Sequence, residues 1–172
     1  MKKIFAIILC ILLAISASAC GDGKNGVSED RSDNKNESSV KFYINYNSGV
    51  KIELGADANA VLDQLGTPVS QSEMGACGDL GTVTKYVYDT IELFVLKSKD
   101  TATVDQITLK SDLVKTPEGV TIGSSKDDVI KACGDGYAKC DDGEIRYTSG
   151  NKNLKFTLRD GAVVGINYLV LG

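Results

Sequence analysis

The sequence predicts an α+β fold in which a unit of one helix plus a three-stranded antiparallel meander occurs twice in tandem, the two copies sharing one core. Three observations lead to this prediction. Apolar and glycine positions match between the two halves of the chain, each match contains a short amphipathic stretch, and alternating apolar and polar residues follow.

The two halves match at a constant spacing. The matched pairs are Gly55 with Gly123, Val61 with Val129, Leu62 with Ile130, Leu65 with Cys133, and Gly66 with Gly134. Pro117 interrupts the chain between them, so we divide it into a first copy at residues 40–116 and a second at residues 117–172. A chance alignment of glycines is the alternative interpretation.

Each matched segment has the end signals of a helix. Asp57 in the first copy, and Ser124 or Ser125 in the second, can cap the first turn, and Gly66 and Gly134 follow the last apolar residue. We expect Val61 and Val129 on the buried sides of these helices, and Ala58 and Lys126 on the polar sides.

Strands are predicted where apolar residues alternate with polar ones, at residues 40–46 and 154–158, and short strands also at 49–52 and 119–122. The Asp160–Gly161 pair is typical of a two-residue hairpin turn. Because halves of about 65 residues bury too little surface to be stable alone, we expect both meanders to lie in one sheet or to pack closely.

The N-terminus has the pattern of a lipoprotein signal peptide. Lys2 and Lys3 precede an aliphatic run, and small residues lead to Cys20, so residues 1–19 are the predicted signal and Cys20 the lipidated residue. Residues 20–39 are predicted to be a disordered polar tether because they hold a single aliphatic residue, Val27. Ordinary secretion, with cleavage at the same bond, and a retained membrane anchor are the alternatives.

Composition excludes several classes of protein. The 172 residues contain no His, which rules out Ser-His-Asp and Cys-His nucleophiles and His-ligated zinc. The net charge of −4 argues against a nucleic-acid partner, because no basic surplus exists to displace counterions. We predict no catalytic residues, no cofactor and no metal.

The cysteines give one candidate disulfide. Cys10 leaves with the predicted signal and Cys20 is acylated, so Cys77, Cys133 and Cys140 remain in an exported, disulfide-permissive setting. Cys133 and Cys140 are the candidate pair, and three reduced thiols are the alternative.

Three tyrosines are candidates for a binding surface. Tyr86 and Tyr88 share one face of a predicted strand, and Tyr147 lies at the matching position of the second half. Tyr supplies amphipathic contact area at interfaces, so this face is a recognition surface if it turns outward and ordinary core if it turns inward.

One loop is rich in acidic residues: Asp135, Asp141, Asp142 and Glu144. Their oxygens could ligate Ca²⁺, but the EF-hand spacing is absent. A solvated turn is therefore the favoured interpretation of this loop.

Taken together, the lipidation signal, the polar tether and the motif resemble the small outer-membrane assembly lipoproteins and, when doubled, the β-lactamase inhibitor protein family. The motif residues are Ile52, Gly55, Val61, Gly66 and Pro68, then Ile122, Gly123, Val129 and Gly134, with Gly136 where a second proline would stand. The resemblance implies a non-catalytic protein-binding module and identifies no partner.

We therefore expect a lipoprotein anchored to the outer face of the cell membrane through Cys20, with a non-catalytic binding domain for a protein or other envelope ligand. A cell-wall hydrolase working with Asp and Glu is one alternative. A structural accessory of an envelope membrane complex is another.

Overall fold

A computed structural model describes residues 39–47, 49–75 and 81–171, which all belong to one compact unit. The predicted signal peptide and almost all of the predicted tether lie outside these residues, as does Cys77. The elements in chain order are β1 (Tyr43–Tyr46), β2 (Val50–Glu53), α1 (Ala58–Leu65), β3 (Ser70–Gly75), β4 (Thr82–Val87), β5 (Ile91–Ser98), β6 (Thr101–Leu109), α2 (Lys126–Cys133), β7 (Lys139–Cys140), β8 (Glu144–Ser149), β9 (Lys152–Arg159) and β10 (Ala162–Val170).

Eight of the strands form one antiparallel sheet, in the order β3-β4-β5-β6-β10-β9-β8-β7. Strands β3 to β6 follow one another as a meander, and β7 to β10 do the same. The two meanders join where β6 pairs with β10, from Leu109 opposite Ile166 to Gln106 opposite Leu169. The remaining strands, β1 and β2, pair with each other as a separate hairpin.

The predicted fold class is therefore wrong. Among the described residues, strands hold 50% and helices 13%, and eight of the strands form a single large sheet rather than a tandem helix-plus-three-strand unit. Each helix is followed by four strands rather than the predicted three. The strands that the sequence did not predict are β3 and β7. Strand β3 is exposed throughout and has no apolar alternation, and β7 has only two residues.

The structure also departs from the matched pattern between the halves. The β1–β2 hairpin precedes α1, but residues 119–122, predicted as a strand, form no strand and connect two turns before α2. There the amide of Gly119 donates to the carbonyl of Thr116 at 2.9 Å, and the amide of Ser124 donates to Thr121 at 3.2 Å.

The helix signals are confirmed. Asp57 caps α1, where its carboxylate accepts from the amide of Asn59 at 2.9 Å, and Gly66 ends the helix. Ser125 caps α2 in a capping box with Asp128, and Gly134 ends it. Because two hydrogen bonds from Ser125 stabilise its ionised form, the pKa of Asp128 is lowered.

Short backbone bridges fix the start of each helix to the sheet. Before α1, the amide of Gly55 donates to the carbonyl of Val104 at 2.8 Å, and the amide of Val104 donates to Ala56 at 3.0 Å. Before α2, Gly123 and Ser124 exchange the same kind of bonds with Val163, both at 2.8 Å. These bonds set where each helix crosses the sheet.

The core lies between the sheet and the layer formed by both helices and the β1–β2 hairpin. Its residues belong to one cluster that includes Ile44 and Ile52 from the hairpin, Val61 and Val129 from the helices, and Tyr168 from β10. The predicted Asp160–Gly161 turn joins β9 to β10, and both residues have positive φ, as a tight hairpin requires.

The burial of Ala58 also differs from the prediction. This residue was expected on the polar side of α1, but it is fully buried. The reason is its position at the first turn, directly after Asp57, which forms a β-bridge with Thr103 and holds this end of the helix against β6.

Val61→Asp and Val129→Asp should each lower the free energy of unfolding by several kcal/mol, because each places an unpaired carboxylate in the shared core. Either change should lower the midpoint of a single cooperative urea transition followed by circular dichroism, or leave the chain unfolded without urea. The exposed helix positions Ala60 and Ala132 supply controls, and Ala60→Asp and Ala132→Asp should cost about 1 kcal/mol or less. Selective melting of only one meander in Val129→Asp would contradict a common core.

Candidate binding surface

The eight-stranded sheet has two chemically different faces. Residues on one face pack into the core. A single line of paired residues across six strands illustrates this: Tyr86, Leu93, Ile107, Tyr168, Leu154 and Tyr147, all buried. Side chains alternate along a strand, so their neighbours in sequence point to the opposite face, which we call the open face.

The open face carries polar, charged and scattered apolar side chains that are mostly half-buried. One line across it runs, from β4 to β7, through Val87, Glu92, Thr108, Asn167, Lys155, Arg146 and Lys139. Lys139 in this line is exposed, and the other six residues are half-buried rather than buried.

Hydrogen bonds order the middle of the open face, where the two meanders meet. The amide of Gln106 donates to the hydroxyl of Thr108 at 3.1 Å, and that hydroxyl donates to the side-chain oxygen of Asn167 at 2.9 Å. This chain crosses from β6 to β10, so the open face is continuous across the joint between the meanders.

Ion pairs hold the part of the open face on β4 and β5. Lys85 Nζ lies 2.9 Å from Glu92 Oε2 and 5.6 Å from the centre of the Phe94 ring, and Lys110 Nζ lies 3.9 Å from Glu92 Oε1. An aromatic ring with a cation beside it can contact both apolar and charged groups of a partner.

Three basic side chains lie side by side on β7, β8 and β9. Lys139 is directly opposite Arg146, and Arg146 is directly opposite Lys155. Neighbouring strands lie about 4.8 Å apart, and like charges directly opposite each other destabilise a sheet. We call these three residues the basic row.

Acidic neighbours compensate only part of the basic row. Glu144 lies 3.2 Å from Arg146 Nε and 3.9 Å from Lys139 Nζ, and Asp141 lies 3.3 Å from Lys139 Nζ. Among the described residues, Lys155 has no ion-pair partner. The row therefore has spare positive charge on a face that an acidic group can reach.

The three tyrosines predicted as a possible binding surface lie in the core instead. Tyr86 and Tyr88 are 8% and 6% exposed, and Tyr147 is fully buried. Two of the hydroxyls contact the ends of the helices: Tyr88 donates to the carbonyl of Gly66 at 3.3 Å, and Tyr147 donates to that of Gly134 at 2.6 Å. Each bond satisfies a carbonyl at the end of a helix.

Cys133 and Cys140 both carry free thiols in this structure. Cys133 is buried at the end of α2, and burial, together with the nearby Glu118 carboxylate, raises its pKa to about 12. Cys140 lies in β7 opposite Ile145 and is half-buried. A bond between the two cysteines stays a prediction.

The acidic loop is organised by its own backbone. Asp141 Oδ1 accepts from the amides of Gly143 at 2.9 Å and Glu144 at 2.7 Å, and these bonds, with Lys139, lower the pKa of Asp141. No group of acidic or cysteine side chains in the described part of the chain has the arrangement of a metal site.

Two adjoining pockets, of about 250 and 230 Å³, lie where the start of α1 faces the β5–β6 turn. Asp57 and Asp100 line the smaller one, together with Asn59 and Thr101. The hydrolase alternative would need two carboxylates in such a place, but Asp57 is engaged in capping α1. The observed contacts therefore assign this pair no acid–base role.

No helix within residues 39–171, apart from the undescribed positions, is long and apolar enough to cross a membrane. No protein-family model matches this sequence, and neither does any curated protein. The chain is similar to an extracellular protein containing a SCP domain from Bacillus anthracis str. Ames, known from a 1.5 Å crystal structure. The identity is 19%, the match covers 88% of this chain and 50% of that chain, and the TM-score is 0.44. This chain thus spans half the length of that protein, and the likeness is too weak to define a shared fold.

Sequence reasoning missed the open face. The alternation that predicts β9 does place Lys155 and Thr157 on one face of the strand and Leu154 and Phe156 on the other, so the sequence does predict a solvent-facing side. What the sequence did not reveal is the register that brings Lys155 beside Arg146.

Tyr147→Phe should lower the free energy of unfolding by about 1 kcal/mol, because it leaves the carbonyl of Gly134 without its donor. Tyr88→Phe should cost less, since its bond to Gly66 is longer. Tyr86→Phe is the matched control, as its hydroxyl makes no hydrogen bond to residues 39–47, 49–75 or 81–171, and it should be nearly neutral. Urea unfolding of the three variants checks this order, and equal losses in all three would contradict a helix-capping role.

Proposed function

We propose that this protein is an extracytoplasmic lipoprotein, held on the outer face of the cell membrane by a lipid on Cys20, whose folded part is a non-catalytic binding module. The open face is its binding surface, and the ligand is a partner protein or envelope component that presents acidic groups. The observation that carries this proposal is the division of the sheet into one face that packs into the core, except on edge strand β3, and one ordered face with spare positive charge.

The charge distribution supports an acidic ligand. The chain has a net charge of −4, yet basic side chains outnumber acidic ones on and beside the open face: Lys85, Lys110, Lys139, Arg146 and Lys155, against Glu92, Asp141 and Glu144. The exposed turns of the two helices carry much of the acidic surplus, with Asp63 on α1 and Asp127 and Asp128 on α2. Such a contrast orients a partner on approach and suppresses wrong ones.

The basic row supports a role beyond folding. A directly opposed pair of like charges reduces sheet stability, and an acidic ligand group placed between Arg146 and Lys155 would relieve that repulsion. Arginine in particular can bind a carboxylate or phosphate through two parallel hydrogen bonds.

Lys155→Glu separates binding from folding. We expect it to leave the free energy of unfolding unchanged or raise it by up to about 1 kcal/mol, because it places an opposite charge beside Arg146. Capture of the acidic partner from detergent-solubilised membranes should fall at least tenfold. Lys131→Glu, on the exposed side of α2, is the control and should capture as the parent does. Loss of stability in Lys155→Glu with capture unchanged would show the row to be structural.

Cys20→Ala tests the anchor. The variant should remain uncleaved by the lipoprotein peptidase or appear in the medium, because it lacks the thiol that receives the diacylglycerol. Cell fractionation and intact mass measure both outcomes. Cys10→Ala, within the predicted signal, should leave processing unchanged. Normal cleavage and membrane retention of Cys20→Ala would refute lipidation.

A further inference from the structure

The two edges of the sheet differ in how they are protected. Strand β7 forms one edge, is two residues long, and carries Lys139, which is ion-paired to Asp141. Strand β3 forms the other edge, is six residues long, is exposed at every position, and contains no Lys, Arg or Pro. Natural sheets usually shorten, charge or cover such an edge, because its unpaired backbone groups can pair with another strand.

We propose that the outer edge of β3, which pairs with no other strand of the described chain, accepts an extended segment of a partner protein, in which apolar and basic residues alternate, as an additional strand of the sheet. The proposal goes beyond binding at the basic row and concerns the opposite edge of the sheet. Backbone hydrogen bonds between β3 and the added strand provide affinity, and the side chains of β3 and β4 provide selectivity.

The apolar requirement follows from Met74. On the open face, Met74 is directly opposite Val83, and Val83 is directly opposite Leu96, so an apolar row reaches the sheet edge and stops there. Met74 is 45% exposed. An apolar side chain on an added strand would extend this row and cover Met74. The other side chains on this face of β3, Ser70 and Ser72, are uncharged and would not repel it.

The basic requirement follows from Glu73. Glu73 and Gln71 lie on the opposite face of β3 from Met74, and both are exposed. Glu73 has no ion-pair partner within the described chain. Because residues directly opposite each other across two strands share a face, a lysine or arginine opposite Glu73 would alternate with the apolar residue opposite Met74.

A second copy of this chain fits the edge less well. Two β3 strands related by a twofold axis can continue the sheet only in registers that keep each face on its own side. Two registers meet this condition with five residues of each strand paired. In one, Glu73 lies directly opposite Glu73 of the second copy, and in the other Met74 lies directly opposite Ser70 of the second copy. Neither completes the apolar row, so the observations favour a different partner.

The test uses the full-length protein in detergent and a fluorescent eight-residue peptide of alternating valine and lysine. Anisotropy should show binding at least tenfold tighter than that of the block isomer with four valines followed by four lysines. In an added strand, the N–H groups of every second residue point towards β3, so they belong either to the valines or to the lysines. Methylating the backbone nitrogens of all valines in one peptide, and of all lysines in another, should therefore abolish binding of only one of the two peptides. Equal binding of both isomers, or binding that survives both methylations, would overturn the proposal.

Protein variants locate the site. Met74→Lys should weaken the alternating peptide at least tenfold, and Leu113→Lys, at a position that is 80% exposed outside the sheet, should not. Lys155→Glu should not weaken it, so failure here is distinct from failure of the open-face proposal. A dimer in sedimentation that Met74→Lys dissociates would instead assign the edge to a second copy.

Discussion

The pairing of β6 with β10 is the interaction on which the rest of the structure depends. Within the large sheet it alone joins the first four strands to the last four. Along this pairing, Ile107 and Tyr168 point into the core, while Thr108 and Asn167 point to the open face. If it were lost, each group of four strands would keep one helix and part of the core, which is too little buried surface for a stable unit of this size. Stability and the continuity of the open face therefore rest on the same four residue pairs.

The basic row shows how the fold tolerates a local cost. Opposed like charges in a sheet each cost a fraction of a kcal/mol, whereas burial of one large apolar side chain contributes about 1.5–3 kcal/mol. Leu154 and Phe156, fully buried on either side of Lys155, outweigh the repulsion between Lys155 and Arg146 several times over. The core on one face thus tolerates like charges next to each other on the other face.

Local signals predicted the elements, and long-range pairing limited the prediction of the fold. The helices were correct because Asp57, Ser125, Gly66 and Gly134 act within one turn of their own position. The β9–β10 hairpin was correct for the same reason, since Asp160 and Gly161 adopt positive φ locally. Strand β3 was missed because an exposed edge strand has no buried side to produce alternation.

The candidate site was harder to predict than the elements. The pattern Tyr86–Tyr88 correctly placed two rings on one side of a strand, but the choice between core and surface depended on the helix lying over that side. The hydroxyl of Tyr88 reaches Gly66, and a tyrosine so used cannot also contact a ligand. Register across strands, which no single segment encodes, decided which charges became neighbours.

A sheet covered on one side separates stability from recognition by the alternation of single residues. In β9, Leu154 is fully buried and Lys155, the next residue, faces the opposite side. Substitution at the first position leaves a cavity in the core, while substitution at the second changes only the charge presented to a ligand. A cleft does not offer this separation, because its lining residues are also packing residues. The charges of the open face can therefore change with little effect on the core.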